Sequence, residues 1–417
     1  QAEDGIRDVE RSRGLGDVYK RQEIMIDKQN SKAHISNFYA AIGDQLIHFN
    51  ANIDTAKLEH NASVKFGLNI QYVWRHPDLS IIYLALSNGG PGNKGTKHQL
   101  CACNLNTKDG TIEDIINSVT LPYRPLHLSI DRQKKHVLVA YNDPCFISVH
   151  QLEPNGAISS RIKQDINLDE GIFGHQIMVT PNGKEVILVC RGFDALNGQP
   201  ERPGALKFFD YQDGKLSFKH AIAPNYGIGF GARHLDFHQN KNWVYLAVER
   251  QSEIHFLRIN EDATNKIIEQ KVSTLSQDIQ TGVRQAASAI HIHPNGNFVY
   301  VSNRAYLAEK CSHEQIIPNG EDNIAVFKIN RETGTGTRIE SVDTKGALPR
   351  TFSIDPSGQI LIAANSEPAR KKNKLGQVVD LPVSLSLFKI DVDGKLDQSE
   401  NLAFPNEDQL LFWAGFL

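Results

Sequence analysis

The chain has 417 residues, with 45 Lys and Arg against 48 Asp and Glu, a formal charge of −3. That near balance argues against nucleic acid or a membrane as a partner, and no apolar run approaches the roughly 20 residues that span a bilayer. The 5 cysteines, an odd number with only Cys101 and Cys103 close together, make no disulfide framework; reduced, mostly buried thiols and a cytoplasmic setting are expected.

Residues 1–22, QAEDGIRDVERSRGLGDVYKRQ, are dense in charge and glycine and have no periodic apolar face. The string is similar to the in-frame translation of a sequencing adapter, so a non-native or disordered tail is expected there, with Met25 a candidate start. The segment after Met25 lacks the charged-then-apolar layout of a secretory signal, and export is not expected.

Residues 23–417 are governed by a repeat. Residues 38–58, FYAAIGDQLIHFNANIDTAKL, look like the outer strands of one unit. Six further segments share a short apolar strand, a turn and a second strand rich in β-branched and aromatic residues: IQYVWRHPDLSIIYLALSN, LHLSIDRQKKHVLVAYN, HQIMVTPNGKEVILVCR, RHLDFHQNKNWVYLAVE, SAIHIHPNGNFVYVSNR and RTFSIDPSGQILIAANS. The Pro-x-Gly of PNGK, PNGN and PSGQ suits a tight hairpin. Residues at the start of the turn, Pro77, Arg132, Pro181, Gln239, Pro294 and Pro356, recur at intervals of 55, 49, 58, 55 and 62, or about 56 residues per unit. Each unit continues into a third strand and an outer hairpin, as in 205–218, 323–336 and 383–396. Four short antiparallel strands per unit fit a β-propeller blade. Seven such units account for about 392 of the 395 residues from 23 to 417. The expectation is an all-β, seven-bladed propeller in a single domain, closed by a strand from the C-terminal QLLFWAGFL.

Local motifs add little. Gly90, Gly92 and Gly95 precede a strand rather than a helix, so a dinucleotide loop fails its context. Cys101-x-Cys103 falls on a strand, with one of the two expected to face the core. His291 and His293 share a strand face and could suit a metal, but such residues are more often ordinary, partly buried strand positions. No cofactor and no metal are expected.

Charge enters at equivalent positions of the repeat. Six residues before the turn stand Gln71, Leu126, His175, Arg233, Ser288 and Arg350, and one residue later Tyr72, His127, Gln176, His234, Ala289 and Thr351. Ten residues after it stand Ser87, Asn142, Arg191, Glu249, Arg304 and Ser366. The start of the first strand and the end of the second lie at one rim of an antiparallel pair, so these positions should gather at one mouth of the central channel. His175, Arg191, Arg233, His234, Glu249, Arg304 and Arg350 then make a positive funnel. Arginine's planar fork suits carboxylate or phosphate oxygens, so a small anionic metabolite is the expected partner.

HPNGNFVYVSNR, DNIAVFKIN, GARHLDFH and LPRTFSIDPSG resemble the lactonase family of seven-bladed propellers, whose members include 6-phosphogluconolactonases and carboxy-cis,cis-muconate cyclases. The resemblance runs over nearly all of 38–417. It implies that His175, Arg233, Glu249 and Arg304 are catalytic, and Arg350 fits the family pattern too; from their places at the mouth, Arg350, Arg191, His234, His127 and Asn142 are expected to bind substrate. It implies hydrolysis of a phosphorylated sugar lactone, 6-phosphoglucono-δ-lactone, in the pentose phosphate route, with Glu249 or His175 as base. Lactonisation of a carboxylated muconate and a non-enzymatic, metabolite-binding propeller are the alternatives. GARH in place of GPRH, and long inserts after Arg304 and Ser366, depart from the family pattern.

Overall fold

The computed structural model describes residues 34–164, 168–196, 198–259, 267–276, 283–307, 316–317, 320–372, 375–405 and 409–417. The adapter-like segment 1–22, Met25 and Cys311 lie outside these residues.

Seven four-stranded antiparallel sheets succeed one another along the chain. In blades two to seven the chain runs from the inner strand outward. The inner strands are Asn69–Arg75, Pro125–Ile130, Gly174–Val179, Ala232–Phe237, Val283–Ile292 and Pro349–Ile354. Blade one is built from both ends of the described chain. Its outer strands are Ile35–Ile42, Gln45–Asn52 and Lys57–Lys65, and its inner strand is Leu411–Phe416, with Phe38 opposite Phe416 and Ala40 opposite Ala414. The C-terminal strand therefore closes the ring as its apolar pattern predicts.

The Pro-x-Gly turns take the conformation their residues dictate. The N–H groups of Gly183, Gly296 and Gly358 donate to the carbonyls of Thr180, His293 and Asp355 at 2.9, 2.8 and 2.8 Å, and the three glycines have φ of 74°, 73° and 75°. Proline at the second position and glycine at the fourth are the residues this turn favours. In blade three Lys134 occupies the glycine position at φ 61°, so a degraded turn sequence still makes the same hairpin.

Seven apolar clusters hold the ring, one at each interface between neighbouring blades. The cluster joining blades seven and one, which includes Phe38, Ile47, Ile362, Leu385 and Leu411, makes the closure energetic as well as topological. Tyrosines on second strands reach across these interfaces. The hydroxyls of Tyr39, Tyr83 and Tyr300 donate to the carbonyls of Gly110, Gly156 and Gly394 in the next blade at 2.5, 2.8 and 2.9 Å. Both Cys101 and Cys103 are buried, with their sulfurs 3.7 Å apart. Residues two apart on a strand share a face, so the expectation that only one faces the core is corrected.

Blade six departs from the repeat. Its inner hairpin extends from Val283 to Leu307, so the inner strand begins five residues before Ser288. The two inserts pair with each other: Ile316–Ile317 lies parallel to Ala369–Lys372, which pairs with Val378–Leu381 in a small separate sheet. Lys371 fastens it to the ring by donating to Asp322 Oδ2 at 2.7 Å, while Asp322 Oδ1 accepts from the N–H groups of Ala305 and Leu348.

The closure has a measurable consequence. Leu411→Ala, at a wholly buried position, should cost about 2–5 kcal/mol in urea unfolding. Val392→Ala, at a residue 95% exposed, should stay within about 0.5 kcal/mol. Equal effects would show that the C-terminal strand does not carry the ring.

Candidate active site

Every inner strand carries a bulge at the same place. In blade four Gly174 pairs with Cys190 and Gln176 with Val189, so His175 is left without a partner; Arg233, Arg350, Gln71 and Leu126 are displaced in the same way. In blade six Ser288 and Ala289 bulge together, and in blade one the displaced residue is Phe412. A bulge turns one side chain out of the alternation of its strand. The positions six residues before the turn, the first of the three sets singled out in the sequence, are therefore the bulged ones. Gln176 holds two of them side by side, since its side chain donates to the Leu235 carbonyl at 3.1 Å and accepts from the Leu235 N–H at 2.7 Å.

Five of the expected residues meet. Glu249, just beyond the second strand of blade five, is buried, accepts from two arginines and pairs with a third. Arg191 Nε donates to Oε1 at 2.9 Å, Arg233 Nη1 donates to Oε2 at 3.0 Å, and Arg304 Nη2 lies 3.3 Å from Oε2. Arg233 Nη1 also donates to His175 Nε2 at 2.7 Å. That contact makes Nε2 the unprotonated nitrogen and puts the ring proton on Nδ1, which is buried with no partner.

The charges follow from these contacts. Burial alone would raise the Glu249 carboxyl, but Arg191, Arg304 and Arg233 outweigh it and hold the group well below the usual carboxylate range. Burial, and then Arg233 and its charged neighbours, push His175 far below the ordinary imidazole value. Burial, together with Arg304, draws Arg233 down to about 9, still protonated at neutral pH. The centre is an ionised carboxylate, a neutral imidazole and three guanidiniums.

The remaining expected residues lie around it. His234 sits 4.8 Å from His175, ring to ring, and His127 follows 6.1 Å further on. His127 is fully buried against Tyr72 at 4.1 Å, with burial holding it down to about 3. These rings line the channel below the arginines. Arg350 stacks on Phe412 at 4.2 Å. Asn142 ends the second strand of blade three, where it pairs with Cys145 and makes no side-chain bond to the charged centre.

Several residues of the mouth lie outside the fixed offsets of the repeat. Asp194 accepts from Arg191, Arg250 and Arg284 at 2.8, 2.6 and 2.7 Å, and Arg250 also pairs with Glu201. Burial would raise Asp194, yet Arg191 and Arg284 bring it down to about 2. The mouth is thus less positive than expected, because the loop after Arg191 supplies counter-charge. Gly192 makes that loop possible: its φ is 71°, and a Cβ there would lie 2.3 Å from the Arg202 carbonyl. Arg284 belongs to the extended part of blade six, where it faces Tyr306 at 5.3 Å. Arg250 escaped the sequence reading although it stands next to Glu249.

Among the described residues no group of three or more His, Cys, Asp or Glu could hold a metal ion. His293, which opens the turn just past the inner strand, donates to the Gly358 carbonyl at 2.9 Å, and His291, on the strand, lies against Phe352 at 5.0 Å. An open cleft of about 540 Å³ lies at the other end of the ring, between the turns at Pro181 and Gln239. Its Lys219 is already paired with Glu185 and Asp210, and it holds none of the charged centre.

A ring of seven four-stranded blades carries a buried His–Arg–Glu–Arg centre at one mouth. The chain belongs to the family of seven-bladed β-propeller lactonases, whose pattern it matches over residues 32–370. It is 26% identical over 354 residues to 6-phosphogluconolactonase of Bacillus subtilis, covering 81% of this chain and 91% of that one. It is 28% identical over 293 residues to 6-phosphogluconolactonase of Erwinia tasmaniensis, covering 70% and 76%. Among solved structures, the periplasmic gluconolactonase PpgL of Pseudomonas aeruginosa superposes with a TM-score of 0.69 at 16% identity, covering 90% and 98%. A protein from Lactobacillus plantarum superposes with a TM-score of 0.69 at 19% identity, covering 92% and 100%; at these identities the likeness is one of fold.

The buried imidazoles set the pH dependence of stability. His127, His175 and His234 all have folded values below 6.5, so below that pH the unfolded chain binds more protons than the folded one. The depressed Glu249 acts in the same direction below 4.5. Melting temperature should fall as pH drops from about 7.5 to about 5, and less steeply in His127→Phe. A flat or rising profile would contradict the neutral, buried histidines.

Proposed function

We propose that this lactonase-family chain hydrolyses a phosphorylated sugar lactone, 6-phosphoglucono-δ-lactone, at the charged mouth. The observation that carries the reading is the buried carboxylate shared by Arg191, Arg233 and Arg304, beside His175, in a chain whose relatives bear that enzyme's name.

Hydrolysis adds water to the lactone carbonyl, passes through an anionic tetrahedral intermediate, and breaks the bond to the ring oxygen, which takes up the proton. Of the two candidate bases, His175 has its Nε2 lone pair engaged by Arg233. Glu249 accepts two hydrogen bonds beside the Arg304 ion pair and, with about four lone-pair sites, keeps room to orient a water. We therefore assign Glu249 as base and His175 as the residue that positions Arg233. Guanidiniums of Arg233 and Arg304 stand where the oxyanion develops, and fixed charges of this kind supply much of a catalytic effect. They also offset the weak basicity of a carboxylate so strongly stabilised. Cys101, Cys103, Cys145 and Cys190 are free thiols, which fits a reducing, cytoplasmic compartment.

Freshly generated 6-phosphoglucono-δ-lactone, followed against its spontaneous opening, tests the reading beside glucono-δ-lactone and a carboxylated muconate. Turnover of the phosphorylated lactone is expected. Glu249→Gln should reduce kcat by about 10²–10⁴-fold, and His175→Gln less. The enzymatic rate should be level from about pH 6 to 8, because neither Glu249 nor His175 titrates there. A rate that follows an ionisation near 6.5 and is abolished only in His175→Gln would make the imidazole the base. Turnover of the muconate alone would replace the reaction, and no turnover by folded protein would leave a binding propeller.

A further inference from the structure

The arginines of the mouth fall into two groups. Arg191, Arg233 and Arg304 share Glu249, and Arg250 and Arg284 share Asp194 with Arg191. Arg124 and Arg350 have no carboxylate within ion-pair distance among the described residues. Arg124, just before the inner strand of blade three, is 5% exposed. Its one hydrogen bond goes from Nε to the Gln71 side-chain oxygen at 2.9 Å. Arg350, on the bulge of blade seven, makes no side-chain hydrogen bond. None of the remaining guanidinium nitrogens of the pair is sealed from solvent, so each keeps an open edge.

Burying a cation without a partner is expensive. Burial is the main force on both: it draws Arg124 down to about 10 and, with Arg233 and Arg304 nearby, holds Arg350 well below the ordinary arginine value. The arrangement is nonetheless fixed. Both guanidiniums lie over the ring of Phe412, Arg350 at 4.2 Å and Arg124 at 5.6 Å, an attractive cation–π geometry. Gln71 is oriented by donating to the carbonyls of Asn69 at 3.2 Å and Gly89 at 3.4 Å, which turns its oxygen toward Arg124. Ser288 donates to the Arg350 carbonyl at 2.7 Å. Phe412, Gln71 and Arg350 are the bulged residues of blades one, two and seven, across the ring from the Glu249 centre in blades four to six. Two preorganised forks that lack only a counter-ion are the form an anion site takes.

We propose that Arg124 and Arg350, held over Phe412, bind the phosphate of the substrate and so select phosphorylated over unphosphorylated lactones. The proposal rests on the phosphorylated-lactone reading above and assigns its two ends: the carbonyl to the Glu249 centre, the phosphate to blades seven, one and two.

Calorimetric titration with 6-phosphogluconate and with gluconate reads the subsite without turnover. Wild type should bind 6-phosphogluconate more tightly. Arg124→Met, which keeps the apolar stem, should reduce that preference by about tenfold or more without lowering the melting temperature, because an unpaired buried charge has been removed. Arg124→Lys should fall between, and Lys241→Ala at the opposite rim should behave as wild type. Unchanged preference in Arg124→Met, a lowered melting temperature with unchanged preference, or no binding of either acid by wild type would each overturn the subsite. Wild type that hydrolyses lactones without preferring the phosphorylated one would also overturn it and leave the lactonase reading standing. Binding of 6-phosphogluconate through Arg124, with no lactone hydrolysed, would do the reverse.

Discussion

Three guanidiniums converge on the two oxygens of Glu249 inside a ring of β-sheets, and most of what is distinctive about the mouth depends on that contact. A carboxylate so placed stays ionised, and without it Arg233 and Arg304 would be buried cations with no carboxylate to balance them, while Arg191 would keep only Asp194. Burial, reinforced by the positive neighbours that this contact tolerates, keeps His175 neutral. Charge that is costly to bury is here divided among three blades, four to six, each contributing one or two groups from a strand end.

The fold makes this division possible by repeating one irregularity. A bulge at the equivalent position of every inner strand turns one residue, or two in blade six, out of the sheet alternation. Their chemistry differs from blade to blade. Blades four and five supply His175 and Arg233, blades seven, one and two supply Arg350, Phe412 and Gln71, and blade three supplies Leu126, with Arg124 just before it. Interblade clusters that are apolar all the way round, and a C-terminal strand that completes blade one, hold these positions in register.

Much of this could be read from the residues alone. Hairpin turns with Pro-x-Gly, a period near 56, and the apolar C-terminal strand point to a closed propeller because each is a local rule the fold obeys. His175, Arg233, Glu249 and Arg304 were legible because they occupy fixed offsets from those turns. Asp194 was not, since it lies in a loop without a counterpart in other blades, and its role comes from contacts 56 and 90 residues away in sequence. Arg284 was hidden by the extension of the blade six hairpin, and Arg124 by standing one residue before a strand. Phe412 carried an apolar signal that ring closure already explained. The choice of base depended on which lone pairs are engaged, a matter of geometry that no spacing reveals.

The most direct test is a crystal structure of the protein with 6-phosphogluconate bound. The account predicts the acid at the bulged mouth, its carboxylate among Arg233, Arg304 and Glu249 and its phosphate between Arg124 and Arg350 over Phe412. Density for the acid in the cleft beside Trp243 at the opposite rim, with the Glu249 centre empty, would contradict it.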